Sequence, residues 1–189
     1  MPFKATPLPG VFLFEPSVYP DDRGYFFESY NKRLFQVNGI PNEFVQDNQS
    51  FSCYGVIRGL HFQLEPYAQS KLVRVLEGRI LDVVVDLRAG SAEFGKSYSV
   101  ELSAENKKQI YIPKGFAHGF SVLSETTEIS YKCDQFYNKQ SEGGIRYNDP
   151  QLNIDWQIPP EKALISEKDV RLPDFDPRIV QFKFSEQNA

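Results

Sequence analysis

The clearest periodicity in the chain lies over residues 71–87, where apolar and polar side chains alternate and Glu77-Gly78 breaks the pattern once. A period of two marks strands with one buried face, and a Gly-containing turn pair between two such runs predicts a β-hairpin. A two-residue turn sets Leu76 against Arg79 and Val73 against Asp82, leaving Lys71 diagonal to Asp82 on one sheet face. The opposite face of the second run, Leu81, Val83, Val85 and Leu87, then requires an apolar partner layer. Lys71 is either solvated or aimed into a wet barrel interior, and alternation alone leaves both open.

Shorter runs repeat the theme. Residues 11–14, 25–30, 96–102 and 109–112 read as strands, with turn chemistry over 19–24 and a loop over 90–95. The 16 Phe, 10 Tyr and scattered 13 Pro and 12 Gly favour many short strands over long helices. The fold class predicted is all-β, a sandwich or barrel with a few short helices, as one domain over 1–189. Asn31 is placed to cap a short helix over 32–37, which Asn38-Gly39 ends and Pro41 cannot continue. Residues 116–123 and 126–133 form a second apparent hairpin. A two- or four-residue turn at Ser124-Glu125 puts His118 opposite Tyr131, whereas a three-residue loop undoes that pairing. Residues 166–169 can open a short turn or helix, and 174–189 reads as a tail that lies on the surface or frays.

A net charge of -4 argues against a nucleic-acid or membrane-surface binder, so an anionic ligand must meet a local cluster of cations. Cys53 and Cys133 are too few for a disulfide framework or a tetrahedral zinc site, which points to reduced thiols and a cytoplasmic location. No leader-like segment or run of about 20 apolar residues occurs, so a soluble, unprocessed chain is expected.

Chemistry concentrates in residues 55–63, where His61, one of two histidines, follows Arg58 by three positions. An imidazole that titrates near neutrality beside a permanent cation suits proton transfer on an anionic ligand. The competing reading is a hydrogen-bonded core histidine. Gln46, Asp47, Asn48 and Gln49 stand together inside a strand-like run, as an exposed edge or as the lining of a polar cavity. Arg23 and Glu28 flank an aromatic run and, taken alone, read as solvated charges. Strict alternation places Arg58 and His61 on opposite faces. For both to reach one cavity, a bulge or kink near Gly59 is predicted.

The segment 113–118, Pro-Lys-Gly-Phe-Ala-His, resembles the second box of the cupin superfamily, whose fold is a double-stranded β-helix, a jelly-roll barrel. Two histidines cannot build the usual three-histidine cupin metal site, so a metal-independent, cofactor-free member is implied. Residues 23–28, 46–50, 55–63, 71–75 and 131–133 together resemble the dTDP-4-dehydrorhamnose 3,5-epimerase family over about residues 10–170. Asp134-Gln135 departs from that family's usual Thr-containing pair.

The resemblance implies epimerisation of dTDP-4-dehydro-6-deoxy-D-glucose at C3 and C5 through an enolate. His61 inherits the role of base, Asp169 orients it, Tyr131 is the proton donor and Lys71 stabilises the enolate oxygen. Arg23, Glu28, Gln46, Asp47, Asn48, Arg58, His118, Glu142 and Lys168 match ligand-binding positions, and Tyr137 the tyrosine that stacks on thymine. A homodimer with exchanged N-terminal strands is implied as well, so that Arg23 and Glu28 serve the neighbour's site. The rival readings are a single-carbon epimerase or 3,4-ketoisomerase on a related sugar, a sugar-nucleotide binder without turnover, and a metal-dependent oxygenase.

Overall fold

The computed structural model describes residues 2–178 and 182–184. In chain order its elements are β1 (Phe3–Ala5), β2 (Phe12–Phe14), β3 (Tyr19–Asp21), β4 (Gly24–Phe26), α1 (Lys32–Val37), β5 (Gln46–Cys53), β6 (Val56–Gln63), β7 (Lys71–Glu77) and β8 (Arg79–Asp86). There follow β9 (Arg88–Ala89), β10 (Ser97–Ser103), β11 (Gln109–Ile112), β12 (Phe116–Val122), β13 (Thr126–Cys133), β14 (Glu142–Gly144), β15 (Leu164–Ile165), α2 (Glu167–Val170) and β16 (Phe182–Lys183). One antiparallel sheet runs β1-β2-β11-β7-β13-β5 and a second runs β10-β8-β12-β6-β14, with β15 added in parallel to β6. The two sheets face one another as the expected jelly-roll barrel.

Alternation decides which residues enter the space between the sheets. Val73 and Val75 of β7, Ile80 and Val84 of β8, Phe120 and Val122 of β12 and Ile129 of β13 point inward into one buried cluster. Leu81, Val83, Val85 and Leu87 point outward, and their apolar partners are Ile145, Leu152, Trp156, Phe175 and Phe182 from the C-terminal third. On the outer face of the first sheet, Phe35 of α1 packs with Phe14, Leu72 and Tyr111. Each fully buried Val, Leu, Ile or Phe contributes about 1.5–3 kcal/mol relative to exposure, so both outer layers are integral to the fold. Asn31 caps α1 as predicted, its side chain accepting from the Leu34 amide.

Both predicted hairpins are instead crossings between sheets. β7 pairs with β11 and β13, β8 with β10 and β12, and Val73 lies opposite Ile110 and Tyr131 rather than Asp82. Likewise His118 lies opposite His61 and Val84, and Tyr131 opposite Asn48 and Val73. A short turn between alternating runs is compatible with either arrangement, because alternation fixes which face of a strand is buried and not which strand lies alongside it. The two crossings abut: the Arg79 amide donates to Ser124 Oγ at 2.9 Å. Gly78 has φ +75° there, and a Cβ would strike the Thr126 carbonyl.

Phe175 is 8% and Phe182 7% exposed, and β16 pairs in parallel with β9, so these residues are docked on the second sheet. The rest of the predicted tail, 179–181 and 185–189, lies outside the described residues. Among the described residues no helix is long and apolar enough to cross a membrane.

Candidate active site

The predicted irregularity at Gly59 is present. Between the pairs His118 with His61 and Phe120 with Arg58, β6 carries two residues, Gly59 and Leu60, against the single Gly119 of β12. Added Cβ atoms show why glycine occupies both sides: on Gly59 (φ +126°) one would approach Gly119 Cα to 2.6 Å, and on Gly119 one would approach the Arg58 carbonyl oxygen to 2.7 Å. The bulge resets the alternation, and Arg58 and His61 line one cavity of about 700 Å³ between the sheets.

The far edge of β6 receives β14 beside residues 61–63 and β15 beside 56–57, and α2 follows β15 directly. Ser166 caps α2 by accepting from the Asp169 amide. Buried Asp169 is thereby delivered to His61, whose Nε2 lies 2.7 Å from Asp169 Oδ1, while the Gly59 amide donates to Oδ2 at 3.3 Å. Burial pushes the Asp169 carboxyl up, but the His61 hydrogen bond and charge and the Gly59 amide outweigh it and hold the group below its ordinary value. An ionised carboxylate only accepts, so the ring carries a proton on Nε2, and in a neutral imidazole that tautomer leaves the lone pair on Nδ1.

The floor lies on the central strands. Lys71, His118 and Tyr131 line the same cavity, and beneath them Asp82 Oδ2 accepts from His118 Nε2 at 2.9 Å. Burial, joined by the charges of Lys71 and His61, lowers the His118 pKa further than Asp82 raises it, so the ring is neutral near pH 7. Burial also lowers that of Lys71, against the opposing pull of Cys133 and Asp82. Tyr131 is pushed up by burial and by Cys133, with Arg58 opposing, and stays a phenol. Arg58 Nε and Nη2 donate to Ser52 Oγ at 3.2 and 3.1 Å, which holds the exposed guanidinium at the rim.

A second chamber of about 390 Å³ shares His61, Lys71, Tyr131 and Lys168 with the first and adds Gln46, Asn48, Tyr137 and Glu142. Lys168 Nζ donates to both Glu142 oxygens, at 2.8 and 2.7 Å. The run 46–49 is thus both an edge strand and a cavity wall: β5 ends the first sheet, and alternate residues turn inward. That alternation sends Asp47 outward, where it meets Lys132 at 2.9 Å, so Asp47 lines neither chamber. Arg23 and Glu28 line neither as well. Arg23 sits at the tip of the β3–β4 hairpin, its side chain 91% exposed and paired with Asp21, and Glu28 accepts from Asn31. The side chains that sequence reasoning left without a role are Asp82, reachable only through pairing, and Gln63. Gln63 donates to Tyr67 O and Phe136 O and accepts from the Asn138 amide, fixing the loop that presents Tyr137. Among the described residues no group of three or more His, Cys, Asp or Glu could hold a metal ion.

Residues 5–177 match the family model described as dTDP-4-dehydrorhamnose 3,5-epimerase. A curated protein of that name from Pseudomonas aeruginosa is 55% identical over 169 residues, 88% of this chain and 92% of the relative. The crystal structure of the Elizabethkingia anophelis dTDP-4-dehydrorhamnose 3,5-epimerase superposes with a TM-score of 0.88 at 56% identity, covering 92% of this chain and 95% of that one. A Legionella pneumophila dTDP-6-deoxy-D-glucose-3,5-epimerase, solved in complex with dTDP-4-keto-L-rhamnose, gives 0.90 at 44% identity, covering 97% and 98%.

Proposed function

The chain belongs to the dTDP-4-dehydrorhamnose 3,5-epimerase family, and on that premise we propose that His61 and Tyr131 exchange the ring protons while Lys71 holds the charge on the C4 oxygen. The activity is epimerisation of dTDP-4-dehydro-6-deoxy-D-glucose at C3 and C5, giving dTDP-4-dehydro-L-rhamnose in dTDP-rhamnose biosynthesis. Both carbons flank the C4 ketone, so loss of either proton gives an enolate with its charge on the C4 oxygen. His61 Nδ1 takes the proton from one face. Asp169 stabilises the resulting imidazolium and fixes its tautomer. Tyr131 returns a proton from the opposite face, the imidazolium discharges to solvent through the 37% of its side chain that is exposed, and the Tyr131 phenolate recovers a proton from solvent before the second carbon reacts. Lys71 is a preorganised cation at the growing oxyanion, half-buried in the cavity wall.

The observation that carries this reading is that imidazole, ammonium and phenol all line both chambers and therefore meet at their junction. The sugar occupies that junction. The nucleotide extends past Gln46, Asn48, Glu142 and Lys168, with thymine stacked on exposed Tyr137, while Arg58 and His118 hold the sugar-diphosphate end. A second copy of the chain brings its β3–β4 hairpin, with Arg23 and Glu28, to the open side. The enzyme works in the cytoplasm, where Cys53 and Cys133 remain reduced.

The test is uptake of solvent deuterium at C3 and C5 followed by product NMR. The wild-type chain labels and inverts both carbons. His61→Asn loses about a thousandfold in labelling, and Tyr131→Phe still labels but fails to complete inversion. Full turnover by His61→Asn, or a product inverted at one carbon only, overturns the mechanism.

A further inference from the structure

Asp82 is wholly buried on β8, and the mechanism above does not use it. Its Oδ2 holds His118, while Oδ1 has no hydrogen-bond partner among the described residues. A carboxylate oxygen left without a donor inside a protein is costly, and such an atom in a native fold calls for an explanation. One floor residue is in the complementary condition: no described residue hydrogen-bonds the Lys71 ammonium. The two side chains project from facing sheets into the same interior and interact electrostatically.

We propose that Asp82 is a positioning residue, whose single carboxylate fixes His118 through one oxygen and keeps Lys71 protonated through the charge on the other. The groups around that ammonium leave the task to Asp82. From β13, Cys133 pulls on Lys71 only as a thiolate and keeps its proton up to about 11, and Tyr131 is also uncharged at neutral pH. From β12, His118 is neutral. From β6 come His61 and the cation Arg58, and from α2 the cation Lys168. The remaining anions, Asp169 and Glu142, are engaged with His61 and Lys168. Neutral Lys71 could donate but would carry no charge to match the enolate, so loss of Asp82 becomes visible as pH rises. The inference rests on the role given to Lys71 above.

The experiment is the pH profile of kcat/KM for wild type, Asp82→Asn and Asp82→Glu, each checked for folding by thermal melting. Asp82→Asn keeps the shape and removes the charge; its alkaline limb moves down by about one pH unit, so the loss approaches tenfold on the alkaline side of the wild-type limb and is much smaller at pH 7. Asp82→Glu restores the charge and returns the limb toward wild type. In a Lys71→Met background Asp82→Asn causes no further alkaline loss. An unmoved limb in Asp82→Asn, or the same loss with and without Lys71, overturns the proposal. If Asp82→Asn fails to fold, the Lys71 Cε signal of the wild-type chain decides by NMR: an ammonium at pH 7.5 that titrates below 10.5 is expected, and a neutral amine at pH 7.5 overturns it. Undiminished turnover by Lys71→Met alone would instead sink the role of Lys71 itself.

Discussion

The cavity floor and the β3–β4 hairpin carry residues from the same set of family motifs, yet they stand in opposite physical conditions. On the floor, Lys71, His118 and Tyr131 sit on strands paired on both sides, with Asp82 beneath and Val73, Val84 and Ile129 packed around them. On the hairpin, β3 and β4 pair only with each other, and Tyr19, Tyr25 and Phe26 are 62%, 58% and 67% exposed. The floor is complete within one chain. The hairpin displays aromatic surface and a guanidinium that touch nothing in the site, and the proposal gives them work only in the site of a second copy. A residue's motif therefore tells what it binds, and its packing tells whether its own chain supplies the site.

The sharpest way to break this contrast is at the floor. Lys71→Met should lower kcat by about a hundredfold with little change in KM, since the ammonium acts on charge that appears only in the transition state. A pure KM effect would make Lys71 a binding residue and erase the distinction. The next test is at the hairpin, where Arg23→Ala should raise KM about tenfold and leave kcat near wild type, as loss of one charge-assisted contact does. Mixing inactive His61→Asn chains with Arg23→Ala chains should then regenerate intact sites in mixed dimers, since one site draws both wild-type residues. If mixing restores nothing beyond the Arg23→Ala level, the hairpin does not serve its neighbour.

The smallest effect concerns how tightly the floor is closed. The folded-state pKa of His118 lies below its ordinary 6.5, so the unfolded chain binds the extra proton more readily. The stability this group gives is full above pH 6.5 and falls as pH drops through the window beneath that value. Denaturant midpoints between pH 5 and 7 should fall with acid in the wild-type chain and fall less in His118→Asn; equal slopes would mean an open, solvated floor.

Much of this site was legible in the sequence because period-two alternation is local. It placed Leu81, Val83, Val85 and Leu87 against an apolar layer and required a break at Gly59 for Arg58 and His61 to share a cavity, and equally local capping chemistry marked Asn31 as a helix cap. The histidine, lysine and tyrosine were identifiable from motifs that span nearly the whole chain.

Partnership was not legible. Strands 71–77 and 79–86 alternate as a hairpin would, yet they belong to opposite sheets, as do 116–122 and 126–133. Lys71 and Asp82 were expected on one sheet face and in fact project from facing sheets into the same interior. Asp169 reaches His61 across 108 positions of sequence, carried by a two-residue strand that alternation did not mark and by the short helix that opens at Ser166. Which face a side chain takes is set by the geometry of two neighbouring peptides, and the sequence alone determines it. Which strand lies alongside is set by the burial of two whole sheets against one another, a sum over distant residues that exists only once the chain has folded.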